Sequence, residues 1–506
     1  MKTVTFFISA LMILMALTST LFQRANSAIK ITELQSKNSP LITFRVILRA
    51  GEINSPKGKE GLNALTAYAI AQGGTQELSY QQVVEKLYPW SASIEVNSDQ
   101  EITTFIADVH RDHVDQFYKI FTDLLLHPRF EESDFNRVKD LGLNYLKNTL
   151  RATSDEELGK EALNSMIFAN HPYQNTSFGT FQGLTGSTLA DVKDYYKKTY
   201  TQANLWFGIA GGYPSSLIEK IKADFSSLPE GSFTETTLPP PEKINKLEVM
   251  VVEKPARAYA ISMGHPISIT RKDKDFYALL VANSYFGEHR TFNGVLMNRL
   301  RGDRGLNYGD YSYIEKFVGG LGSAGVFPEL NTPLRDQFFS IWLRPVQAEN
   351  TYFAIRNALF EYNNLLEKGI SQDNFEKTRK FVTYYSKLWA GTISRRLGYL
   401  MDSQFYGTDY FIDRIESELK TLTVDDVNAA IKKYLDNKNI KIAVVVDDGK
   451  GEDLLNALES NAPASIKYSS AVAQSILDQD KLIEVFPLEV NKEKSKVVKV
   501  SDLFEK

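Results

Sequence analysis

Cysteine is absent from all 506 residues. That excludes disulfides, thiolate catalysis, cysteine-ligated metals and lipidation on an N-terminal cysteine. It leaves the compartment open, and it fits an export route. A basic excess is absent too. Lys and Arg number 58 against 62 Asp and Glu, a formal net charge of -4, so nothing points to nucleic acid. The zinc motifs H-x-x-E-H and H-E-x-x-H occur nowhere. Histidines are few: His110, His113, His127, His171, His265 and His289. His110 and His113 flank a turn, but two imidazoles without a third ligand make a weak metal site. Beyond the N-terminus no run is long and apolar enough to span a bilayer.

What is present is ordinary globular composition, 43% hydrophobic, and a length suited to about two to four domains. Lys2 precedes a mostly apolar run from Val4 to Phe22, then Ala25, Ser27 and Ala28 offer small residues for cleavage. Residues 1–28 read as a secretory signal peptide, with an uncleaved anchor as the alternative. A periplasmic or otherwise exported location is expected, with no stable membrane span after cleavage.

The stretch 61–75, GLNALTAYAIAQGGT, follows a polar loop and ends in glycines. It reads as a short helix, apolar nearly all round and therefore buried. Residues 42–50, 91–97 and 102–109 read as strands. Residues 75–90, 115–126 and 131–150 read as helices. The mixture predicts an α+β fold with helices on one face of a mixed or antiparallel sheet. The chain then repeats loosely. FEESDFNRVKD (130–140) and ISQDNFEKTRKF (370–381) align Phe130 with Ile370 and Phe135 with Phe375. Downstream, Asp191-Val192 matches Asp426-Val427, each followed by a strand. Two landmarks at a nearly constant offset predict a duplicated domain of about 200 residues per copy. TETTLPPPE (234–242) is a stiff connector between the copies. The divisions expected are 29–233, a proline-rich linker 234–246, 247–464, and a C-terminal tail 465–506 that packs as an accessory strand or arm. G-x-G-x-x-G at 320–325 runs into Val326-Phe327-Pro328 rather than a helix, so it is not a dinucleotide site.

The stretch 61–75 resembles the opening helix of the pitrilysin/insulinase (M16) metallopeptidases, and HPYQNTSFGTFQGLTGSTLADVKDYYKKTYTQANLWFGIAGG (171–212) is similar to another block of that family. The resemblance implies two homologous α/β sandwich domains of the LuxS/metallohydrolase type forming a clamshell. It places the family's H-x-x-E-H on Ala64 to Tyr68. The ligand positions are then Ala64 and Tyr68, the water-activating acid is Ala67, and the third ligand falls at Leu143 or Asn144. A methyl group cannot hold zinc or activate water, so no metal is expected in this chain. In the second half, LMNRLRGDRGLNYGDYSY (296–313) matches a family segment that supplies an Arg and a Tyr seven positions apart. Arg301 and Tyr308 fall on them, with implied roles in recognising the substrate backbone and stabilising developing charge. A segment matching 91–97 is the implied edge for a peptide substrate.

The resemblance therefore implies a non-catalytic subunit that pairs with an H-x-x-E-H homologue carrying the zinc. The heterodimer would degrade or process peptides. The alternative is a catalytically dead scaffold or peptide-binding clamshell with no protease partner.

Overall fold

The computed structural model describes residues 29–316, 326–468 and 471–506. The expected signal peptide, 1–28, and the glycine-rich 320–325 lie outside these residues.

Two sheets carry the chain, and they share one topology. The first comprises β1 (Lys30–Gln35), β2 (Leu41–Leu48), β3 (Ser93–Ser98), β4 (Thr103–His110) and β5 (Leu205–Gly211), in the order β1-β5-β2-β4-β3. The second comprises β6 (Glu248–Glu253), β7 (Tyr259–Ile267), β8 (Gly309–Tyr313), β9 (Gln337–Val346), β10 (Lys441–Val446) and β11 (Lys496–Lys499), in the order β11-β6-β10-β7-β9-β8. Without β11 the second order repeats the first strand for strand. In each copy one pair is parallel, β1 with β5 and β6 with β10, and the inner neighbours run antiparallel. The edge strand β8 is thus the counterpart of the edge strand β3.

Five helices repeat as well. In the first copy they are α1 (Leu62–Ala71), α2 (Val114–Leu126), α3 (Glu132–Asn144), α4 (Asp155–Ile167) and α5 (Leu189–Thr199). In the second they are α6 (Lys274–Gly287), α7 (Thr351–Lys368), α8 (Gln372–Trp389), α9 (Ile393–Tyr406) and α10 (Val424–Tyr434). The Asp-Val landmark of the sequence is a helix start. Thr188 accepts the Asp191 amide and the Asp191 side chain returns to Thr188; Thr423 and Asp426 do the same at α10. Such a box satisfies donors that the first turn leaves unpaired. The helix expected over 75–90 is shorter, Tyr80–Leu87, because Ser79 caps it. The one expected over 131–150 is α3 followed by wide π turns from Tyr145 to Thr153.

The two domains close on each other as a clamshell by exchanging helices. α4 of the first packs on β7 and β10 of the second, and α9 of the second packs on β5 and β2 of the first. Small residues permit the approach. A Cβ on Gly159 of α4 would come 3.2 Å from Ser262 Oγ, and one on Gly398 of α9 would come 3.3 Å from the Arg45 guanidinium carbon. Ion pairs between the domains add Arg335 to Glu101 at 2.8 Å, Arg344 to Glu156 at 2.6 Å, Lys316 to Asp99 and Lys254 to Asp155.

The segment after residue 465 is more than an accessory strand. It forms α11 (Gln474–Glu484), whose buried Asp480 pairs with Arg304 at 2.8 Å. It then adds β11 parallel to β6. Residues 503–505 finally reach the first domain. There the Phe181 and Gln182 amides donate to the Phe504 and Glu505 carbonyls at 2.9 and 3.0 Å. Arg151 donates to the Leu503 carbonyl and pairs with the Glu505 carboxylate. Among the described residues no helix is long and apolar enough to cross a membrane.

Candidate functional site

α1 is buried on every side except at Tyr68. Its start is fixed by a buried carboxylate: Glu52 accepts the Gly61 amide at 2.9 Å and the Ser55 hydroxyl at 2.8 Å. Gly61 has φ of +97°, a conformation that suits glycine. Burial raises the Glu52 carboxyl well above its usual range, against the pull of those donors. Asn63 Nδ2 donates to Ser98 Oγ and Thr103 Oγ1, each at 2.8 Å, and Asn63 Oδ1 accepts the Tyr195 hydroxyl at 3.0 Å. Asn63 therefore ties α1 to β3, β4 and α5.

At the two ligand positions and the acid position of the motif stand two methyl groups and a phenol. Ala64 and Ala67 are 2% and 0% exposed. The Tyr68 ring lies 5.5 Å from Phe178, and the Tyr145 ring lies 4.5 Å from Phe178. Asn144, rather than Leu143, shares this space with Ala64 and Tyr68. Together they surround a cavity of about 350 Å³ with mostly apolar walls. Burial raises the phenols of both Tyr68 and Tyr145. Neutral phenols, an amide and methyl groups do not fit a zinc ion, which takes imidazole, thiolate or carboxylate. Among the described residues no group of three or more His, Asp or Glu is placed to hold a metal ion. The histidines have other partners. His110 pairs with Asp112 at 3.4 Å and His113 stacks on Trp90. His127 pairs with Asp123, His171 with Asp336, His265 with Tyr362 and His289 with Tyr313.

Arg301 and Tyr308 come together at the edge of the second sheet. Wide helical turns over Met297–Gly302 bury Met297 and Leu300 and leave Arg301 half-buried. The Arg301 guanidinium lies 4.4 Å from the Tyr308 ring centroid, and its Nη1 donates to the Tyr308 carbonyl at 3.3 Å. Tyr308 is 69% exposed, and its amide donates to the Arg344 carbonyl at 3.2 Å. Among the described residues no hydrogen bond, ion pair or ring contact joins either side chain to α1 or to the cavity. The pair therefore faces outward, a fork of donors and a phenol on a surface edge.

Sequence reasoning missed the cavity's other wall. Tyr145 and Phe178 come from segments distant from α1, and although Phe178 falls within the block 171–212, nothing in the sequence points either ring at α1. It also missed Glu161, a carboxyl near Tyr145 that burial, opposed by Lys316, pushes up to about 7.

Comparison with known proteins agrees with this architecture. Residues 31–180 match the family model described as insulinase (peptidase family M16), and residues 187–381 match that of the peptidase M16 inactive domain. A Helicobacter pylori relative named non-peptidase homolog YmxG is 24% identical over 81% of this chain and 90% of its own length. A probable mitochondrial-processing peptidase subunit beta of Arabidopsis thaliana is 24% identical over 42% of this chain and 40% of that protein. The crystal structure of a peptidase M16 inactive domain from Pseudomonas fluorescens superposes with a TM-score of 0.71 at 20% identity. That match covers 83% of this chain and 96% of the other.

Proposed function

The chain belongs to the insulinase (M16) peptidase family as a member with Ala64, Ala67 and Tyr68 at the positions of the zinc motif, and on that premise we propose that it is the non-catalytic subunit of an exported two-chain peptidase. Its partner is a homologue that carries H-x-x-E-H and the zinc, and bond cleavage belongs to that partner. This chain supplies Arg301 and Tyr308 to the peptide held between the two. The location is the periplasm or an equivalent exported space, reached by the signal sequence over 1–28.

One asymmetry carries the reading. The positions of the zinc motif hold Ala64, Ala67 and Tyr68, while Arg301 and Tyr308 stand together on an open edge, with Tyr308 69% exposed. A guanidinium offers a fixed fork of donors and a phenol one more. Such donors act on charge that develops in a bound peptide only if they reach it, and the pair's exposure leaves them free to meet another chain. The relative named as a subunit of a processing peptidase supports a two-chain arrangement.

Co-expression with an H-x-x-E-H homologue tests this. Arg301→Ala is expected to lower turnover of the assembled pair by about 10²–10³-fold, the usual cost of one such donor, with co-elution unchanged. The pure chain is expected to carry far less than one zinc per molecule by elemental analysis. Unchanged turnover in the variant pair, or stoichiometric zinc in the pure chain, would sink the proposal.

A further inference from the structure

The turn that presents Arg301 has little of its own to hold it. Glycines stand on either side of Asp303 and Arg304, at positions 302 and 305. Gly305 has φ of +63°, and nothing lies within 4 Å of where a Cβ would stand. Such residues leave a backbone many conformations to choose from. Two main-chain hydrogen bonds close the turn, from the Gly305 amide to the Arg301 carbonyl at 2.8 Å and from the Leu306 amide to the Leu300 carbonyl at 3.1 Å.

Arg304 supplies a side-chain anchor. Its side chain is 0% exposed, while Arg301 is half-buried beside the exposed Tyr308. Arg304 Nη1 donates back to the Arg299 carbonyl at 2.7 Å, so the side chain spans the turn. Nε donates to Asp480 Oδ1 at 2.8 Å and Nη2 to Gln479 Oε1 at 2.7 Å. Both acceptors sit on α11, beyond the residues 187–381 that the family model matches.

α11 is itself fixed. Asp480 Oδ2 accepts the Tyr468 hydroxyl at 2.6 Å, and Ile483 is fully buried. The buried Arg356 of α7 donates to the Glu484 carbonyl at 2.7 Å. A guanidinium buried as far as that of Arg304 needs a carboxylate partner, and its planar fork then fixes direction as well as distance. The contacts run from α7 through α11 and Asp480 to Arg304, and from there to the carbonyl of Arg299, two residues before Arg301.

We propose that Asp480 is a positioning residue: through Arg304 it holds the turn over 299–305 so that Arg301 and Tyr308 meet a bound peptide in one geometry. The inference rests on the reading of Arg301 and Tyr308 given above, and adds to it a dependence on the C-terminal segment. A misplacement of about 1 Å costs on the order of a hundred-fold in rate, so an ion pair at 480 bears on chemistry that it never touches.

Hydrogen exchange on the full chain reads the turn without any partner. Asp480→Asn keeps the shape and removes the charge. It is expected to speed exchange over 299–308 by about ten-fold or more, with the first sheet unchanged. The second reading uses the pair assembled with an H-x-x-E-H homologue, cleaving an internally quenched fluorogenic peptide. Asp480→Asn is expected to lower kcat about ten-fold with KM kept. In a background that already carries Arg301→Ala and Tyr308→Phe it is expected to lower kcat no further, whereas a general loss of folded chain would lower both alike. If Asp480→Asn yields no folded chain, Tyr468→Phe, which takes one donor from the carboxylate and leaves its charge, is read in the same way. Unchanged exchange over 299–308, or an equal fall in kcat in both backgrounds, overturns the proposal. So does a kcat that Asp480→Asn leaves unchanged while Arg301→Ala lowers it. Where Arg301→Ala itself leaves turnover unchanged, the reading of the pair fails first and the positioning role falls with it.

Discussion

Asp310 is a carboxyl group with nowhere to put a charge. It lies on β8 and is fully buried. Asn307 donates to its Oδ1, while its Oδ2 meets no hydrogen-bond partner. Burial pushes its pKa up to about 7, although Asn307 and nearby Arg301 pull it down. The unfolded chain releases this proton near pH 4. Between those values the native state holds a proton that the unfolded state has lost. Stability from this group is therefore full below about pH 4 and declines as pH rises toward 7. Glu161 and Glu288, each raised to about 7 chiefly by burial, act in the same direction. Asp310→Asn keeps the shape and removes the titration. It should leave stability at pH 4 nearly unchanged and raise it at pH 8 by roughly 1–3 kcal/mol. Urea unfolding at the two pH values measures this, and a loss at pH 8 would show that the charged form is held favourably after all.

At the scale of elements, the exchange of α4 and α9 is the feature that packs the two domains together. Gly398 is one of its close points, because a Cβ there meets Leu330 and lies 3.3 Å from the Arg45 guanidinium carbon of the first domain. Arg45 is itself buried and donates to Asn331 and the Ser394 carbonyl, so neither neighbour has room to retreat. Gly398→Val is expected to cost about 1–3 kcal/mol by overpacking. Gly186→Ala, where a Cβ meets nothing within 4 Å, should stay within about 0.5 kcal/mol. Chemical denaturation of both variants compares them directly. Much at this scale was legible in the sequence because it is local chemistry. The repeated Asp191-Val192 and Asp426-Val427 landmarks, which the structure places in the first turns of α5 and α10, are read along the chain, and the all-round apolar α1 declares its own burial. The order of strands and the exchanged helices were not legible, because they follow from contacts between residues hundreds of positions apart. The candidate site divides the same way. Ala64, Ala67, Tyr68 and the Arg301–Tyr308 spacing are read along the chain. The cavity needs Tyr145 and Phe178 brought to α1 by folding.

At the scale of the whole molecule, the segment over 500–506 is a strap from the second sheet to the first domain. Deleting those residues removes the acceptors of the Phe181 and Gln182 amides and a partner of Arg151. The deletion is expected to cost about 1–3 kcal/mol. It should also speed hydrogen exchange over 145–153 and 181–186 well before the second domain responds. Exchange that accelerates equally in both domains would mean that the strap does not act locally.

The strap also bears on how the molecule is made. Arg151 and Leu503 are partners 352 positions apart, and Leu184 and Thr149, near the strap's anchor points, line the cavity. A ribosome finishes the first domain's residues long before it reaches those that clasp them. Domains commonly fold as units in order of synthesis. Here the earliest-made unit waits for the latest-made residues, so its last stage of maturation follows the second sheet instead of preceding it.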